Sequence, residues 1–153
     1  MTTRELLAAC WNRGATIAVE GDRLRVRAPG PLPPALLAEL RARKDALLAE
    51  LDRRLSLAEA QAIVTKAFVQ VAGWYTEGAL GELERDARLT GRFRESETAI
   101  DLVAVVPGGP TAAELWRVLA AHVAVIRTCC ERQRRRKAAS TVCGTAADQT
   151  VCD

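Results

Sequence analysis

The sequence predicts a mostly α-helical protein with one β-hairpin near its start and a small three-helix bundle after it. Three observations carry this. Capping boxes at Thr2-x-x-Glu5, Ser56-x-x-Glu59 and Thr111-x-x-Glu114 each precede an apolar run at helical spacing. Two short alternating runs flank a Gly-Asp pair, as in a hairpin with a tight turn. The composition is 49% hydrophobic with 4% aromatic residues, so Leu, Val, Ile and Ala must supply the core, and unbranched side chains lose little freedom in helices.

The elements follow in order. The Thr2 box opens a short helix with Leu6, Leu7, Cys10 and Trp11 towards one face, ending by Gly14. Ile17 and Val19 then alternate with Thr16, Ala18 and Glu20. After Gly21-Asp22, Leu24 and Val26 alternate with Arg23, Arg25 and Arg27. The predicted hairpin thus turns Ile17, Val19, Leu24 and Val26 to the core and its arginines to solvent. Ala28-Pro29-Gly30-Pro31-Leu32-Pro33-Pro34 cannot continue a strand, but Pro34 suits the first turn of a helix. That helix carries a stripe of Leu37, Leu40, Leu47, Leu48 and Leu51, with Leu36 and Leu55 beside it. Lys44 interrupts the stripe, its stem expected along the apolar face and its ammonium in water.

From Ser56 onward only helices are expected. Ile63, Val64, Ala67, Phe68, Val71, Trp74 and Tyr75 share one face of a helix reaching about Leu83, with Gly73, Gly78 and Gly81 weakening its second half. A second helix from around Leu89 carries Phe93, Ile100 and Val103 and stops at Pro107-Gly108-Gly109-Pro110. The third starts at the Thr111 cap with Leu115, Leu119, Val123 and Ile126. The expected division is a unit at 1–54, a three-helix bundle at 56–137 and a disordered Ala/Thr-rich tail at 138–153.

The net charge of +3 is unevenly spread: residues 1–54 hold ten Lys/Arg against seven Asp/Glu, and residues 55–130 seven against nine. Arg132, Arg134, Arg135, Arg136 and Lys137 form a basic run that could neutralise phosphates, making nucleic acid a second possible partner. No aromatic residue interleaves that run to stack on bases, and a positive helix C-terminus also complements the helix dipole. No apolar stretch is long enough to cross a bilayer, and the N-terminus lacks the apolar core of a secretory signal, so a cytoplasmic location is expected. Cys10, Cys129, Cys130, Cys143 and Cys152 form no C-x-x-C pair and are expected as reduced thiols.

No enzyme is expected, because acid, base and nucleophile candidates do not converge. His122, the only histidine, adjoins apolar Val123 and reads as structural. Glu97 and Asp101 suit a solvated helix face. Neither a metal site nor a cofactor is expected, since the cysteines lack ligand spacing and no Gly-rich phosphate loop occurs.

The N-terminal residues carry a family likeness. Glu5-Leu6-Leu7, Gly14, Val19-Glu20-Gly21-Asp22, Arg23-Leu24-Arg25-Val26, Ala28-Pro29, Leu32, Leu36-Leu37, Leu40-Arg41, Lys44 and Leu47-Leu48 occur in the order helix, hairpin, Pro-rich loop, helix. Over residues 1–54 this resembles the TubC-type N-terminal docking domain, first recognised in a subunit of a peptide-synthetase assembly line. The resemblance implies an αββαα fold, a tendency to homodimerise, and a β-hairpin that receives an acidic peptide from a protein partner. Leu36, Leu40, Leu47 and Leu51 are then candidates for core and dimer seam alike. The expected partner-binding residues are Arg23, Arg25, Arg27, Thr16 and Ala18. Read from the residues alone, the arginines suit strand addition by an acidic peptide and protection of an exposed edge equally well. The resemblance favours docking, so the expected function is a non-catalytic protein–protein adaptor.

Overall fold

The computed structural model describes residues 1–74 and 77–147. Its elements are α1 (Thr3–Trp11), β1 (Thr16–Glu20), β2 (Arg23–Arg27), α2 (Pro34–Ala42), α3 (Lys44–Asp52), α4 (Leu57–Ala72), α5 (Glu77–Arg85), α6 (Ala87–Ala104) and α7 (Ala112–Ala147). The fold is helix-rich with one antiparallel hairpin.

All three capping boxes form. Thr2 Oγ1 accepts from Glu5 N at 3.2 Å while Thr2 N donates to Glu5 at 2.6 Å, and Ser56–Glu59 and Thr111–Glu114 repeat the exchange. In the hairpin, Gly21 takes φ +63° while Asp22 stays at negative φ, the φ signs of a type II′ turn. That turn fixes the register Thr16↔Arg27, Ala18↔Arg25 and Glu20↔Arg23.

The structure divides two helices that the periodicity joins. The leucine stripe breaks at Arg43, whose φ −110° and ψ 20° end α2 and start α3. Leu40 and Leu47 stay buried on either side because the stripe resumes in phase. Lys44 therefore opens a new helix rather than interrupting one. The expected helix from Ser56 to Leu83 ends at Ala72 before Gly73, and α5 is separate, so the region after Ser56 holds four helices among the described residues. The expectation for Tyr75 lies outside the described residues. Asp86 starts α6, its Oδ1 accepting from Arg88 N and Leu89 N. At the other end, α7 continues through Ala147, so residues 138–147 are helical where a loose tail is expected. The alanines in Lys137-Ala138-Ala139 and Thr145-Ala146-Ala147 favour that continuation. Residues 148–153, including Cys152, lie outside the described residues.

Three apolar clusters among the described residues draw on α7, the smallest being Ala79, Leu89, Val125 and Cys129, and the two larger ones meet at Trp116. One gathers Leu6, Leu7, Cys10, Ile17, Leu36, Leu40, Leu47 and Leu51 from the N-terminal elements, which makes the leucine stripe core within a single chain. The other is built by Leu55, Ala60, Ala67, Val71, Ile100, Leu115, Leu119, Val123 and Ile126. Trp116 packs against both, and Trp11 meets it edge-on at a 6.2 Å ring separation. The link between the two parts is itself paired: Leu55 N donates to Pro110 O at 2.8 Å and Ala112 N to Arg53 O at 3.0 Å.

Candidate docking surface

Strand alternation and the register together place Thr16, Ala18 and Glu20 of β1 beside Arg27, Arg25 and Arg23 of β2 on the outer face of the hairpin. Ala18 and the three arginines are exposed, and Thr16 is half-buried. The expected partner-binding residues are thus brought together on one ribbon. The ribbon is not uniformly available. Arg25 already pairs with Glu20 at 3.0 Å, whereas Arg23 and Arg27 pair with no carboxylate among the described residues. Among the described residues, Arg27 is thus open while Arg25 is engaged by Glu20.

The inner face departs from expectation at its tip. Ile17 is buried, Leu24 and Val26 are half-buried, and Val19 is 38% exposed because the turn end of the hairpin overhangs the core. Beneath β2 this leaves a groove of about 470 Å³ lined by Leu24, Val26, Leu37 and Leu40, with Arg23, Arg41 and Lys44 at its mouth. Among the described residues, no β1 residue and no carboxylate lines it, and those three cations form no ion pair. β1 lies against α7, while β2 pairs with β1 alone. The side of the hairpin next to the groove is therefore a strand edge with unused backbone donors and acceptors.

Those observations make the N-terminal elements an αββαα unit with an open basic hairpin. Residues 4–52 match the family model of the TubC N-terminal docking domain. No curated protein and no solved structure matches the chain. The docking-domain match ends with α3, so it includes the hairpin and the groove, while α4 to α7 lie beyond it. A docking domain joins proteins to one another, and that is what the match implies for this segment. The docking domain is held to the remaining helices by Arg127 of α7, whose guanidinium donates to Asn12 O at 2.8 Å and to Arg13 O just after α1. The same guanidinium lies over the Trp74 ring, 5.9 Å from its centre.

The second candidate surface is partly occupied. Arg132 Nη1 donates to Asp86 Oδ2 at 2.7 Å, and Arg136 Nε to Glu82 Oε1, which also accepts from Arg85. The Arg132 guanidinium, helped by the α6 backbone amides, holds the Asp86 carboxyl below its usual range. Arg134, Arg135 and Lys137 are exposed and form no ion pair among the described residues. Glu82, only 1% exposed, and Asp86 sit four apart on and just after α5, opposite Arg132 and Arg136 four apart on α7. The sequence offers this complementarity as two i, i+4 pairs, but nearly fifty residues separate them.

Among the described residues, the remaining polar groups lie apart from one another, save the His122–Ser96 pair and the neighbours Cys129 and Cys130. His122 is buried between the Phe68 and Phe93 rings. Ser96 Oγ donates its single proton to Phe93 O at 2.7 Å, so it accepts from His122 Nδ1–H at 2.9 Å, and Nε2 has no partner. Burial pushes the His122 pKa down and those of the free Cys10, Cys129 and Cys130 thiols up. Glu97 and Asp101 are exposed on α6. Among the described residues, no cluster of His, Cys, Asp and Glu has the arrangement of a metal site, and no helix is long and apolar enough to cross a membrane.

Proposed function

We propose that the chain is a non-catalytic adaptor whose hairpin receives an acidic peptide from a protein partner. The observation that carries this is the coincidence of the docking-domain match with an open β2 edge bordered by unpaired Arg23 and Arg27. Strand addition supplies affinity through main-chain hydrogen bonds, and the arginines select for carboxylates. Thr16 and Ala18 contribute a small, uncharged strip beside them. Location in a cytoplasm and association of two copies belong to the same proposal. Nucleic-acid binding through Arg132, Arg134, Arg135, Arg136 and Lys137 has less support, since Arg132 and Arg136 are already engaged by Asp86 and Glu82.

Charge-assisted contacts contribute about 1.5–3 kcal/mol when well formed and less when exposed. Replacing both Arg25 and Arg27 by Glu should therefore weaken binding of an acidic peptide by at least roughly tenfold with the fold intact by circular dichroism. The same charge reversal at Arg134, Arg135 and Lys137 should leave peptide binding unchanged. If instead the hairpin variant binds the peptide as well as the unmodified chain does, and the tail variant loses duplex DNA, the nucleic-acid reading replaces docking.

A further inference from the structure

The two faces of β2 differ in chemistry, and that difference constrains the side-chain pattern of whatever adds to its edge. Arg23, Arg25 and Arg27 stand on one face, while Leu24 and Val26 stand on the other, above a floor completed by Leu37 and Leu40. A strand added to β2 alternates with the same period of two, so its successive side chains fall on the arginine face and the groove face in turn. Carboxylates match the first face. Aliphatic side chains match the second, because a carboxylate set on that floor loses hydration without gaining a donor. The groove mouth reinforces the sign of the charge. Arg23, Arg41 and Lys44 are cations with no paired carboxylate among the described residues, so a basic segment is repelled there and an acidic one attracted.

We infer that the partner segment is an extended stretch in which acidic and aliphatic residues alternate, with its carboxylates over the arginine ribbon and its aliphatic side chains in the groove beneath β2. This rests on the docking reading, which requires only an acidic peptide, and goes beyond it by fixing the order of residues. It also makes Leu37, Leu40 and Lys44 part of the recognition surface, although they lie far from the hairpin in sequence.

The test compares two synthetic hexapeptides of identical composition, Asp-Val-Asp-Val-Asp-Val and Asp-Asp-Asp-Val-Val-Val, titrated into the full chain and followed by NMR chemical shifts. The alternating peptide should bind at least about tenfold more tightly than the block peptide. Leu37→Asn, checked for retained fold, should erase that advantage while leaving the weaker binding of the block peptide unchanged. Equal affinity of the two peptides for the unmodified chain overturns the alternation and leaves docking by charge alone standing. Failure of both to bind removes the docking reading and this inference together.

Discussion

Gly109 has φ +83°, and a Cβ built on it would lie 1.9 Å from Leu55 O. Only glycine fits there, because both the left-handed backbone and the close approach exclude a side chain. Gly109→Ala should destabilise the chain by about 2 kcal/mol or more, from strain and from loosening of the neighbouring Leu55–Pro110 hydrogen bond, measured by urea unfolding. His122 gives a different signature. Its folded pKa lies below 6.5, so the unfolded chain takes up a proton near pH 6.5 while the folded chain does not. Stability should be full above that pH and decline as the pH falls below it. His122→Gln should flatten the stability profile between about pH 6.5 and 5, where no carboxylate loss interferes. An unchanged slope would mean that His122 protonates freely in the fold. The residue types alone point to a structural His122, beside apolar Val123. The Ser96 partner is not legible, being twenty-six residues away on another helix.

At the scale of elements, local signals are read best. The capping boxes name their own helix starts, and the Gly-Asp pair names the hairpin, because each acts over a few residues. The break at Arg43 escapes the same reading because the leucines on either side remain in phase across it. The groove beneath β2 is hidden for a related reason: its floor joins residues of a strand and a helix separated by a proline-rich loop. Where a cap also holds tertiary contacts, its loss should exceed that of the cap alone. Ser56 caps α4, while Glu59 of the same box also accepts from Arg53, and Arg53 and Arg4 both pair with Glu50. Ser56→Ala should therefore cost more than the about 1 kcal/mol of an isolated cap, measured by thermal or chemical unfolding. The hydrogen bonds from Ser56 and Arg53 lower the Glu59 pKa from 4.5 to about 2. Its folded pKa being depressed, its contribution is complete above pH 4.5 and disappears as the pH falls towards 2. Glu59→Gln should therefore narrow the stability difference between pH 5 and pH 3, and a profile as steep as that of the unmodified chain would show that Glu59 is not a source of the acid sensitivity.

Across the whole molecule, the sequence marks a boundary near residue 55, but the structure fastens that boundary. Trp11 of the docking domain packs into the helical core against Trp116, Arg127 of α7 holds the end of α1, and residues 53–55 pair with residues 110–112. None of these contacts is legible from periodicity, because each joins residues of which one is close to the N-terminus and the other on or before the last helix. They predict that the two parts unfold together. Trp74 and Trp116 belong to the helical part, so with both replaced by Phe the fluorescence of Trp11 alone reports the N-terminal unit, while the far-ultraviolet circular dichroism comes largely from α4 to α7. Their denaturation curves should coincide in midpoint and slope if the junction couples them. Arg127→Ala should lower both midpoints equally, because it removes two hydrogen bonds to α1-terminal carbonyls and a stacking contact with Trp74 without deleting core volume. Separate transitions in the unmodified chain would make the docking domain an autonomous unit despite α7. In that case a fragment ending at residue 54 should fold alone and, with Trp11 and Ile17 uncovered by α7, self-associate in light scattering. A coupled transition implies the opposite for the fragment: with no α7 to cover Trp11, it should lose cooperative unfolding. Occupancy of the hairpin would then be felt by the helical bundle, since binding to the folded docking domain raises the single shared midpoint rather than one of two.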